Sequence, residues 1–176
     1  SGKGFFQNLT GFLFRKQAGL RPDSTLPVIK TDLQTLNLSE DLLVWFGHSS
    51  YLIQMEGKRL LVDPVFCTAA PVSFVNKPFK GTEVYRPEDM PDIDWAILEN
   101  GQYNEGWKYI HLMPGYMAAV ARELKAAKIL TVHHSKYALA AHPWDEPLKN
   151  ARRMRDRDSL PVVIPQIGEV VNMTGH

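Results

Sequence analysis

Three short apolar runs sit close together near the chain's first third: Leu42-Leu43-Val44-Trp45-Phe46, Tyr51-Leu52-Ile53-Gln54-Met55 and Lys58-Arg59-Leu60-Leu61-Val62. Their length and their β-branched and aromatic content predict strands. Gly47-His48-Ser49-Ser50 interrupts the first two, and Glu56-Gly57 predicts a tight hairpin into the third. That strand ends at Asp63-Pro64, where proline has no N–H to continue a ladder. Residues 64–92 hold five prolines and little periodicity, which predicts loop. Trp95-Ala96-Ile97-Leu98 predicts a short buried strand ending at Glu99-Asn100-Gly101. Pro114 suits the first turn of a helix with the apolar stripe Met117, Val120, Ala121 and Leu124. Lys128 to Val132 predicts a strand running straight into His133-His134; a helix over Lys149 to Arg157 and a strand over Val162 to Ile164 follow. Strands alternating with helices point to an α/β or α+β sandwich.

Ahead of this pattern, Phe5, Phe6, Leu9, Phe12 and Leu13 recur at helical spacing before Arg15 and Lys16. So short a stripe fits a helix packed on the domain or on a second subunit better than one lying on a membrane. The stretch to about residue 40, with Pro22 and Pro27, reads as extended, so the chain divides into an arm over 1–40 and a domain over 41–176. The 176 residues fit one core. A net charge of +1 carries no nucleic-acid signal, and the basic run Arg152-Arg153-Met154-Arg155 is balanced by Asp156 and Asp158. One cysteine, Cys67, excludes an internal disulfide, and no apolar run reaches the ~20 residues of a membrane span. The expectation is a cytoplasmic protein.

Chemistry-bearing side chains concentrate at strand ends: His48, Asp63, Glu99, His133 and His134. A rigid sheet aims such residues well. Imidazole with carboxylate suits zinc, manganese or iron, although no His-x-His or Cys-x-x-Cys spacing is present and a strand-end histidine is more often a hydrogen-bonded structural residue. A serine hydrolase is disfavoured because Ser49 and Ser50 stand in no Gly-x-Ser-x-Gly elbow. Cys67 lies in a proline-rich loop with no helix N-terminus to activate it.

Val44-Trp45-Phe46-Gly47-His48-Ser49-Ser50-Tyr51-Leu52-Ile53, followed by Leu60-Leu61-Val62-Asp63-Pro64-Val65-Phe66, resembles the opening of one branch of the metallo-β-lactamase-fold hydrolases. That branch includes N-acyl-phosphatidylethanolamine phospholipases D and ascorbate-6-phosphate lactonases. Ala96 to Glu105, Ile110-His111-Leu112-Met113-Pro114, Val132 to Leu139 and His142-Pro143-Trp144-Asp145-Glu146-Pro147 are similar to the closing third of the same proteins, in the same order. The family's central His-x-His-x-Asp-His motif has no counterpart: Asp94 is followed directly by Trp95-Ala96-Ile97-Leu98. Of the family's metal ligands only the last histidine has a match, at His133, and His134 and Ser135 stand where the family usually has tryptophan and glycine.

The resemblance implies a truncated metallo-β-lactamase-like αββα sandwich. The lost middle leaves sheet edges and apolar surface for a homodimer to cover, with elements exchanged or not. It also implies a metal-dependent hydrolase acting on phosphodiesters through a rebuilt site. His48, Asp63, His133 and His111 are the expected ligands, His111, His134 and Glu99 the expected catalytic groups, and the ion a divalent transition metal, zinc first and manganese or iron next. Two alternatives stay open: a lactonase on the same site, and a structural or binding remnant without catalysis.

Overall fold

In a computed structural model, which describes residues 22–64, 79–101, 103, 114–137 and 142–173, the apolar runs pair in chain order into one six-stranded sheet. The strands are β1 (Leu42–Gly47), β2 (Ser50–Met55), β3 (Lys58–Val62), β4 (Trp95–Glu99), β5 (Lys128–Val132) and β6 (Val162–Val163). β1, β2 and β3 pair antiparallel, and β3, β4, β5 and β6 pair parallel. The tight turn joining β2 to β3 has φ of +50° at Glu56 and +72° at Gly57, the paired left-handed geometry whose twist matches a two-residue hairpin.

Helix α1 (Pro114–Leu124) connects β4 to β5, and α2 (Glu146–Asp156) connects β5 to β6. Parallel strands added in one direction through right-handed crossovers put both helices on the same face. Their buried residues accordingly share one core: Met117, Ala121 and Leu124 from α1, Ala151 and Met154 from α2. α2 begins three residues before the predicted Lys149, because Pro147 needs no N–H partner in a first turn. β6 stops one residue short of Ile164.

The sheet side of this core is a row set by register. Leu52, Leu61, Ala96, Ile129 and Val162 are Cα partners across successive strands, and all are buried. Burying each such side chain contributes roughly 1.5–3 kcal/mol. The adjacent row, on the opposite face, is Trp45, Tyr51, Val62, Ile97, Leu130 and Val163. It is equally apolar but not closed over: Trp45 is 67% and the nearby Leu43 61% exposed.

The arm is fastened to the sheet. Leu33 enters the core, and the buried Gln54 amide donates to the Asn37 (2.7 Å) and Glu40 (2.8 Å) carbonyls. Arg59 donates to Gln54 Oε1 (2.8 Å) and to the Leu36 carbonyl (3.1 Å), so each buried polar atom of that glutamine is satisfied. No helix among the described residues is long and apolar enough to cross a membrane. The expected helix at 5–14, Cys67 and His111 lie outside the described residues.

Candidate active site

β1 runs parallel to β3–β6, so one edge of the sheet collects the carboxyl ends of β1, β3, β4 and β5. His48, Asp63, Glu99 and His133 all fall on that edge, next to the start of β2. Ligands of open α/β sheets characteristically bind outside such carboxyl ends. The backbone there is strained: His48, Asp63, His133 and Ser135 have φ of +52°, +43°, +67° and +66°. Left-handed geometry costs an L-residue about 1–2 kcal/mol, and it persists only where the surroundings over-determine it.

At the β1–β3 end, Ser49 Oγ donates a short hydrogen bond to Asp63 Oδ2. The Asp63 N–H donates to the Ile97 carbonyl (2.8 Å), carrying the β3–β4 ladder past the strand's end. The Trp45 indole N–H donates to the His48 carbonyl (3.0 Å), leaving the His48 side chain exposed. At the β4–β5 end, Glu99 is buried and, by strand alternation, belongs to the face of Ile97.

The two adjacent histidines differ. His133 is exposed at the strand's end, with no ring hydrogen bond among the described residues. His134 folds back on its own strand. Its Nε2 lies 3.1 Å from the Thr131 carbonyl and 3.0 Å from Thr131 Oγ1, and its Nδ1 2.6 Å from Ser135 Oγ. A carbonyl can only accept, so the proton belongs on Nε2, and Nδ1 accepts from Ser135. Burial, aided by the nearby His133 charge, holds His134 below the ordinary histidine range and keeps it neutral. Both ring nitrogens are engaged, so in this arrangement His134 braces the loop that presents His133 and offers no lone pair outward.

A second polar cluster adjoins this end. Asn100 is fully buried; its N–H donates to the Val132 carbonyl (3.0 Å) and its Nδ2 to the Pro147 carbonyl (2.8 Å). The buried Tyr103 hydroxyl donates to Glu146 Oε1 (3.0 Å) and accepts from Asn150 Nδ2 (2.8 Å). Burial first, then the Glu146 carboxylate, pushes this phenol well above its usual range, so it stays protonated. His142 stacks on Tyr103 with centroids 4.4 Å apart, and its Nε2 lies 2.8 Å from the Gly101 carbonyl. Sequence reasoning placed none of Tyr103, His142 or Asn150 in the site. The signal was present in His142-Pro143-Trp144-Asp145-Glu146-Pro147, a stretch used above only for its resemblance.

The metal that the resemblance implies would have to be held by these donors. Among the described residues no three His, Cys, Asp or Glu side chains form a group that could hold an ion. The fourth expected ligand, His111, lies outside the described residues. The described residues therefore do not fit a metal by themselves.

Comparison with known proteins agrees with the resemblance over part of the chain. An N-acyl-phosphatidylethanolamine-hydrolyzing phospholipase D of Caenorhabditis elegans is 35% identical over 88 residues, 47% of this chain and 24% of that protein. The outer membrane protein RomA of Klebsiella pneumoniae is 46% identical over 46 residues, 26% of this chain and 35% of that protein. An uncharacterized protein of Mycobacterium tuberculosis is 28% identical over 90 residues, 49% of this chain and 24% of that protein. No family model matches. The chain thus spans about a quarter to a third of the length of the curated relatives it matches. The likeness to a named hydrolase covers about half of this chain and a quarter of that protein.

Proposed function

We propose that this chain serves a phosphodiester hydrolase, with the reaction at the carboxyl edge of the sheet. The observation that supports this most is the placing of exposed imidazoles and a carboxylate on left-handed backbone along that edge, together with the partial likeness to a phospholipase D. In this reading the Asp63 carboxylate, oriented by Ser49, accepts a proton from the attacking water. His133, exposed and donor-capable, contacts a phosphoryl oxygen and donates to the leaving group. Glu99, buried at the carboxyl end of β4 on the same edge, is the remaining expected catalytic group. Dependence on a divalent transition metal, as the resemblance implies, requires a donor beyond the described residues: His111, or a residue of a second copy. A homodimer is part of the proposal, because the apolar row bearing Trp45 and Leu43 is open on one face. Light scattering at micromolar concentration should give a species larger than the 20.0 kDa chain.

The proposal is tested with bis(4-nitrophenyl) phosphate and a sugar lactone, on protein stripped with chelator and then supplied with zinc or manganese. Release of nitrophenolate above the metal-only blank is the expected result. Lactone opening without phosphodiester cleavage selects the lactonase, which shares the same edge. Inactivity on both selects a structural or binding role.

A further inference from the structure

We propose that His142 is a positioning residue: by donating from Nε2 to the Gly101 carbonyl it locks Gly101 against the His133 peptide and so sets the direction in which His133 is presented. The proposal rests on the reading of His133 as the group that meets substrate, but its test does not.

The geometry carries it in three steps. A Cβ built on Gly101 would lie 1.8 Å from the His133 carbonyl oxygen and 2.6 Å from its carbon. The two backbones are thus in direct contact, and only glycine permits it. Next, His133 holds φ of +67° and Ser135 φ of +66°, so the segment after β5 turns sharply and needs outside support. His134 braces it from its own strand through Thr131, and the Asn100 N–H ties it to β4 through the Val132 carbonyl. Neither contact fixes the Gly101 carbonyl. His142, 41 residues away, reaches it: Nε2 lies 2.8 Å from that carbonyl and Nδ1 2.9 Å from the Pro143 carbonyl, so the Gly101 bond requires a ring proton on Nε2.

His142 is itself held. Its ring stacks on Tyr103 with an interplanar angle of 24°. Tyr103 is in turn anchored at its hydroxyl by Glu146 and Asn150, both on α2. A rigid helix therefore reaches the β5 loop through Tyr103, His142 and Gly101. Outward-facing catalytic groups need such second supports, because ångström-scale misplacement is costly.

The donor and the stack can be separated. His142→Gln keeps an amide N–H able to reach Gly101 but lacks the aromatic ring. His142→Phe keeps a ring over Tyr103 but has no donor. The readout is the backbone one-bond Cα–Hα coupling of His133, measured by NMR, which distinguishes positive from negative φ. Wild type and His142→Gln should report positive φ at His133, and folded His142→Phe should lose it. Retention in both variants, or loss in both, overturns the proposal. Should His142→Phe not fold, the imidazole nitrogen spectrum of the wild-type protein decides. A proton on His142 Nε2 is required, and its absence overturns the proposal. No substrate enters either measurement, so an inactive protein with this signature would sink the proposed function and leave the positioning role standing.

Discussion

At the β1–β3 end of the carboxyl edge, His48 is exposed and its loop is tied through a backbone carbonyl to Trp45, itself 67% exposed. At the β4–β5 end, Gly101 is pressed against the His133 peptide, and buried Asn100 and Tyr103 are bonded to α2. The same kind of residue, a histidine on left-handed backbone at a strand end, thus rests on a loose support in one half and a braced one in the other. Exposed strand-end groups with few buried contacts open at low free energy, whereas those tied into the core open only with it. Under the proposed function, the braced half would fix a geometry and the loose half adjust to a ligand.

The largest expected effect tests the brace. Gly101→Ala places a Cβ inside a backbone contact that no rotamer can relieve. It should cost at least about 3 kcal/mol in denaturant unfolding. Gly57→Ala, which meets nothing within 4 Å and only strains φ at +72°, should cost about 1 kcal/mol. Equal costs would erase the contrast between the braced edge and an ordinary turn.

A smaller effect follows from His134. Its folded-state titration lies below the usual 6.5, chiefly through burial, so the unfolded chain binds the proton more readily in that window. Stability should be fully present above about pH 6.5 and fall as pH drops through the depressed folded value. The thermal midpoint should decline with acidification over that range, and His134→Gln should flatten the decline. An unchanged slope in the variant would place the pH dependence elsewhere.

Much of the sheet was legible because its strands are short apolar runs bounded by turn residues. β5 over Lys128–Val132 and α1 over Pro114–Leu124 follow directly from such runs and from a proline-started apolar stripe. The edge residues were legible for the same reason, since the strand ends are where the apolar runs stop. What could not be read was orientation. His133 and His134 are neighbours of one type, and only the fold-back onto Thr131 makes one a brace and leaves the other exposed. The His142–Gly101 contact joins residues 41 positions apart, and no periodicity links them. The ion site expected of His48, Asp63, His133 and His111 depends on distances between loops, which spacing along a chain does not encode.

The central claim is that the loose and braced halves form one hydrolytic site, and a double-mutant cycle on phosphodiester cleavage tests it most directly. Asp63→Asn removes the proton acceptor at one end, and His133→Asn removes the donor at the other while keeping a side chain that tolerates left-handed backbone. Each alone should lower kcat/KM by about 100-fold to 10,000-fold. The double variant should be little worse than the more damaged single, as groups acting in one step are strongly non-additive. Losses that multiply, or a single variant that keeps wild-type activity, would contradict one site built from both halves.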